Sequence, residues 1–121
     1  MIDRRTFLAA AGGAALLPMA AARAQSQSTR VRTQDATDIH VKEWNRSRRP
    51  VILTHACLLS ADIWDHQAVA VSNAGYRVVS YDRRGLGRSG KPSSGYDFDI
   101  FADDLMAVIG AMELSDATLV G

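Results

Sequence analysis

The residues that could do chemistry fall in two short stretches. His55-Ala56-Cys57 sets an imidazole two residues from the single thiol, and Gly85-Leu86-Gly87-Arg88-Ser89-Gly90 spells G-x-G-x-x-G. The first suggests a cysteine nucleophile with a histidine base. The second suggests a dinucleotide-binding loop. A dinucleotide loop needs its first glycine at a strand end and a helix opening at the third, so that the helix N-terminus holds the pyrophosphate. Here Asp82-Arg83-Arg84 separate the strand-like run 76–81 from Gly85, and Lys91-Pro92-Ser93-Ser94-Gly95 is a poor helix start. Gly90-Lys91-Pro92 lacks the Ser or Thr of a P-loop. Closeness in sequence does not place an imidazole against a thiol, so His55 reads as a hydrogen-bonded structural histidine. Cys57 reads as either a buried filler or a reactive thiol. His40 and His66 belong to no constellation, and no metal-ligand spacing exists. No metal and no cofactor are expected.

The elements that must position these residues follow from apolar spacing. Gln25 to Ser28 is polar. Val31 to Trp44 reads as two strands around a turn at Asp35-Ala36-Thr37-Asp38, with Ile39, Val41 and Glu43 on one face of the second. Val51-Ile52-Leu53-Thr54-His55 resembles a strand buried on both faces of a parallel sheet. Ala61 to Ala74 is a predicted helix, with Trp64, Ala68 and Val71 at helical spacing and Gly75 as its cap. Tyr76 to Tyr81 is a second buried strand, and residues 82–96 form a Gly-rich loop. Phe101, Leu105, Val108 and Met112 mark the apolar face of a further helix. Asp97, Asp99, Asp103 and Asp104 crowd its first turns, where carboxylates suit the helix dipole. Ala117 to Val120 begins a third buried strand. The order, a β-hairpin and then β-α-β-α-β, implies a mostly parallel sheet covered on both faces.

The 121 residues suffice for one small domain, and 47% hydrophobic with 22% charged residues is ordinary globular composition. A net charge of +1 with scattered basic residues argues against nucleic-acid binding. The run Arg46-Ser47-Arg48-Arg49 reads as a solvated loop. At the N-terminus, Asp3-Arg4-Arg5-Thr6-Phe7-Leu8 precedes a mild apolar run and then Ala22-Arg23-Ala24. That order is a secretory signal over residues 1–24, and Arg4-Arg5 resembles a bacterial twin-arginine export signal. The apolar run is too short and too broken by Pro18 for a stable membrane span. The expected partner is the twin-arginine export machinery, and the expected location is periplasmic or secreted. Residues 25–29 are then a polar spacer and 30–121 the folded domain.

Read as Asp82-x-Arg84-Gly85-x-Gly87-x-Ser89, the glycine loop resembles the turn after the fourth strand of the α/β-hydrolase fold. There glycines supply positive φ, and Asp82 and Arg84 tie the loop by hydrogen bonds. Val51 to Cys57 resembles the family's strand followed by His-Gly-x, and Leu59 to Gln67 the stretch after it. Ser94 to Asp99, Phe101 to Leu105 and Asp116 to Gly121 extend the likeness. The run of motifs is most similar to the cofactor-free haloperoxidase and arylesterase branch. The resemblance implies an incomplete α/β-hydrolase sheet that lacks the C-terminal strands. It implies ester hydrolysis of a small-molecule ester or acid substrate, with perhydrolysis as a side activity. His55, Ala56, Asp82, Arg84, Gly85, Gly87 and Ser89 would line the active-site loops, and the Cys57 backbone N–H would be one oxyanion donor.

Three departures from the family pattern matter, one of them Cys57-Leu58 in place of the family's proline or aromatic neighbourhood. Ala56 stands where the family has glycine, which would strain the loop if that position needs positive φ. Gly121 matches the first glycine of the G-x-S-x-G elbow, so the serine would come two residues later, followed by its acid and histidine partners. No catalytic triad residue is therefore expected within the 121 residues, and the chain alone is expected to be inactive. The last strand, central in the family, would be left with an unpaired edge. Two other readings share these residues. One is a haloalkane dehalogenase or epoxide hydrolase with an aspartate in the elbow. The other is a non-catalytic truncated fragment or binding scaffold.

Overall fold

The computed structural model describes residues 25–46 and 49–121. The export signal read over residues 1–24, with Arg4 and Arg5, lies outside the described residues, as do Ser47 and Arg48. Five strands form one mixed sheet. They are β1 (Gln27–Arg32), β2 (Asp38–Trp44), β3 (Pro50–Thr54), β4 (Arg77–Tyr81) and β5 (Thr118–Val120), in the spatial order β1-β2-β4-β3-β5. The β1–β2 and β2–β4 ladders are antiparallel, and β3 pairs in parallel with both β4 and β5. A 3-10 turn (Ala61–Trp64) and helix α1 (Asp65–Asn73) link β3 to β4, and helix α2 (Phe98–Ala111) links β4 to β5. This is the predicted hairpin followed by β-α-β-α-β. No helix among the described residues is long and apolar enough to cross a membrane.

Alternation along the strands builds two cores, one on each face of the sheet. Ile39 and Val41 from β2, Ile52 from β3 and Val79 and Tyr81 from β4 pack with Val108 of α2 and Leu114. Trp44, Val51, Leu53 and Val78 face the other way, onto Ala68 of α1, with Trp64 and Val71 partly buried beside them. Glu43, buried within β2, accepts a 2.6 Å hydrogen bond from Arg77 Nε. Gly75 ends α1 at φ +97, a conformation costly for a residue with a Cβ, and donates its N–H to Ser72 O.

Several sequence expectations are corrected. Strand β1 starts at Gln27, inside the stretch read as a polar spacer, because Gln27, Ser28 and Thr29 pair with Glu43, Lys42 and Val41. Backbone pairing needs no apolar side chain, so composition hides it. The helix predicted from Ala61 opens instead as the 3-10 turn, capped by Ser60 Oγ accepting from the Asp62 N–H. Strand β5 is apolar but exposed rather than buried, Leu119 being 55% accessible, because among the described residues it has β3 on one side and no strand on the other. Leu105 of α2 and Met112 just after it pack, partly buried, against the core beside Val108 as their spacing predicts, whereas Asp104, read as a helix-dipole carboxylate, is buried.

Candidate functional site

The carboxyl ends of the three parallel strands bring the candidate residues together. Register pairs Thr54 with Tyr81 and Leu53 with Val120, so the chain leaves β3 at His55, β4 at Asp82 and β5 at Gly121 from one end of the sheet. Ligands of open α/β sheets bind at that end.

After β3, His55 is buried and residues 56–59 are exposed. The turn closes with Leu59 N–H donating to Ala56 O at 3.3 Å. Its left-handed residue is Leu58 at φ 65, and Ala56 is not among the positive-φ positions. The strain expected at Ala56 is therefore carried two residues later, at Leu58. The Cys57 thiol is exposed, which removes the buried-filler reading. No acceptor among the described residues takes the Cys57 N–H. His55 Nε2 accepts the Arg83 N–H at 2.9 Å, so the neutral ring carries its proton on Nδ1 and donates it to Ala56 O at 2.8 Å. The imidazole holds two backbone segments together, and both its nitrogens are occupied.

Residues 82–90 form the second loop. The Asp82 carboxylate has no solvent exposure. Its Oδ1 accepts the Ala61 N–H at 2.7 Å, and its Oδ2 accepts the Arg88 N–H at 2.8 Å and Arg88 Nε at 3.3 Å. Burial pushes this carboxyl up, but the hydrogen bonds from the Arg88 and Ala61 amides outweigh it and hold the group below the usual carboxylate range. Gly87 sits at φ +52, and a Cβ there would lie 2.5 Å from Asp82 Cγ. Gly85 sits at φ +79, as a glycine turn requires. Ser89 Oγ donates to Asp82 O at 2.5 Å and accepts the His40 N–H at 2.8 Å, which fastens the loop to β2. Together these bonds make a folded turn that faces the 55–60 loop. It presents no helix N-terminus to a pyrophosphate.

Arg84 points away from that loop, into the sheet–helix layer. Its guanidinium grips Asp104 of α2 through Nε at 2.6 Å and Nη2 at 2.7 Å, and Asp35 of the β1–β2 turn through Nη1 at 2.7 Å. The Arg84 hydrogen bond, helped by those of Thr33 and Thr37, holds the Asp35 carboxyl far below the usual range. Sequence reading missed Asp104 and Asp35 as partners of Arg84. A signal existed: Asp104 lies three residues after Phe101 and four before Val108, on the apolar stripe of α2, and a carboxylate there needs a cation. Lys42, with its side chain 7% exposed, bonds Asp62 at 2.9 Å and Asp65 at 2.5 Å. Burial would lower its pKa, but the hydrogen bonds to Asp65 and Asp62 raise it. Arg88 Nη2 also reaches Asp62, at 2.5 Å, closing a network between the two loops.

His40 Nε2 is buried without a hydrogen-bond partner among the described residues. Burial, helped by the nearby Arg88 charge, lowers the His40 pKa from its ordinary 6.5. The unfolded chain then takes up a proton near 6.5 and the folded chain only below it, so stability is complete above that pH and falls as pH drops through it. Urea midpoints at pH 7.5 and 5.5 should drop more for the native chain than for His40→Gln. Equal drops would show that His40 contributes nothing. His66 is exposed on α1.

Beside the Cys57 loop, Leu58, Leu59, Ile63 and Leu86 line an open groove of about 570 Å³. A second cavity of about 550 Å³ lies between the Thr33–Asp35 turn and α2 and touches none of residues 55–60.

Residues 49–121 match the alpha/beta hydrolase fold family, and the chain belongs to that family. It is 45% identical over 92 residues to a non-heme chloroperoxidase of Streptomyces lividans, covering 75% of this chain and 33% of the relative. It is 42% identical, with the same coverage, to a bifunctional esterase/perhydrolase of Acinetobacter calcoaceticus. Among solved structures it superposes on a bromoperoxidase from Bacillus anthracis with TM-score 0.74 and 38% identity, covering 78% of this chain and 34% of that one. It superposes on epoxide hydrolase A from Mycobacterium thermoresistibile with TM-score 0.73 and 29% identity, covering 80% of this chain and 31% of that one. The chain thus spans about one-third of the length of the relatives it matches and carries the N-terminal part of the fold, near the haloperoxidase branch.

Proposed function

We propose that this chain supplies the oxyanion-side part of a serine α/β-hydrolase acting on carboxylic esters, with perhydrolysis of a carboxylic acid as a side activity. The observation that carries this reading is the N–H of the exposed residue Cys57, which meets no acceptor among the described residues, at the carboxyl end of the parallel strands. An amide so placed can donate to the negative oxygen of a tetrahedral acyl-transfer intermediate. The open groove lined by Leu58, Leu59, Ile63 and Leu86, together with Ser60 and Asp62, lies beside the Cys57 loop, and its four aliphatic side chains suit the hydrocarbon part of an ester. In this reading Gly121 opens the nucleophile elbow, and the serine, acid and histidine follow it in the fold. Residues 1–121 alone then turn over no ester. Arg4 and Arg5 direct export to the periplasm or beyond.

The test is a chimera in which residues 30–121 replace the matching third of the Acinetobacter calcoaceticus esterase/perhydrolase. Aryl-ester hydrolysis within about tenfold of that relative supports the reading. A folded chimera without turnover overturns it. Likeness to an epoxide hydrolase supports a second reading, with an aspartate nucleophile. The residue two positions beyond Gly121 decides between them, serine for the first and aspartate for the second.

A further inference from the structure

The loop that carries Cys57 is held at both ends by two consecutive residues of another loop. At its start, buried His55 accepts the Arg83 N–H at 2.9 Å. At its end, Asp82 Oδ1 accepts the Ala61 N–H at 2.7 Å, across 21 residues of sequence. Between these points the exposed turn 56–59 has one backbone bond of its own, Leu59 N–H to Ala56 O, and a left-handed Leu58. Such a turn has little to fix its amides in space. The other Asp82 oxygen is committed to Arg88, and Gly87 packs so close that a Cβ would strike the carboxylate. Asp82 therefore cannot shift toward or away from Ala61 without breaking its own loop.

We infer that Asp82 is a positioning residue for the Cys57 amide: fully buried, it sets the direction of an N–H that it does not touch. This rests on the oxyanion role proposed for Cys57, and it adds that the donor's geometry is fixed by the glycine loop and not by the turn that contains it. Oxyanion donors act through pre-set direction, so the clamp is worth most where the turn is weakest.

The experiment is amide NMR on the full chain, comparing native, Asp82→Asn and Gly87→Ala. Asparagine offers one acceptor oxygen where two loops each need one. Alanine at 87 presses on the carboxylate from the far side and leaves residues 55–61 unchanged. In the native chain the Cys57 amide should show an order parameter near about 0.85, that of rigid backbone. In either variant it should fall below about 0.6, and the Ala61 amide should exchange about tenfold faster. Ile52 and Val79 amides should be unchanged. A mobile Cys57 in the native chain overturns the inference. So does a Cys57 amide that stays rigid in a folded variant, or strand amides that loosen by the same factor as the loop. If Asp82→Asn fails to fold, Gly87→Ala and the native measurement decide. None of these readouts needs turnover. A rigid loop that Asp82 controls, in an inactive chimera, would sink the hydrolase reading and its oxyanion role for Cys57, and would leave only the Asp82 clamp on the turn.

Discussion

Cys57→Pro should lower aryl-ester turnover of the chimera by a factor of about 10²–10³, the usual effect of losing one oxyanion donor. Proline has no backbone N–H, so the substitution removes the proposed donor from an exposed position. The loss should fall on kcat far more than on KM, because the hydrogen bond strengthens only as the oxygen becomes negative. Cys57→Ala keeps the amide and trims an exposed side chain, so its turnover should stay within about twofold. Steady-state kinetics on both variants, with circular dichroism to verify folding, makes the comparison. If alanine costs as much as proline, the thiol is the acting group and the backbone role is wrong.

Breaking the Arg84–Asp104 pair should cost about 3–5 kcal/mol of stability, the range for orphaning one member of a buried ion pair. Both side chains are almost wholly buried, at 1% and 4% exposure, so water cannot replace the lost partner. Arg84→Ala leaves the Asp104 carboxylate in the sheet–helix layer without its bidentate cation. Asp104→Ala costs less, because Arg84 keeps Asp35, whose side chain is 47% exposed. The double variant Arg84→Met with Asp104→Leu should recover much of the loss, since apolar replacements of buried pairs are often neutral or better. Urea unfolding of the four chains tests the order. A single variant within about 0.5 kcal/mol of native, the range of ordinary surface changes, would show the pair to be dispensable.

Much of the scaffold was legible because periodicity and turn chemistry are local. The apolar run of β3 looked buried on both faces, and Ile52 and Val51 do pack on opposite cores. The helical spacing of Phe101, Leu105, Val108 and Met112 located α2, and the glycines at 75, 85 and 87 adopt positive φ. What escaped depends on neighbours distant in sequence. The burial of Asp104 follows from an arginine 20 residues away, and β1 begins in polar residues because β2 offers it a partner. Exposure of the apolar β5 follows from its place at the sheet edge, which no property of Thr118, Leu119 or Val120 announces. Within the site, His55 was legible as a structural residue. The exposure of Cys57 and the left-handed Leu58 were not, since both depend on how the 82–90 loop draws in the ends of the 55–60 turn.

The same topology orders events in time. The β1–β2 hairpin joins neighbours in sequence and can form early, whereas the His40–Ser89 and Thr54–Val120 contacts close chain lengths of 49 and 66 residues. Contacts that close long loops form late and slowly. Asp82 becomes fully buried only when β2, β4, the Arg88 segment and the Ala61 turn have all met. A partly assembled chain would therefore carry a wet, mobile carboxylate and no oriented Cys57 amide. The candidate oxyanion donor comes into being only when these four segments have met, so its geometry reports on their assembly.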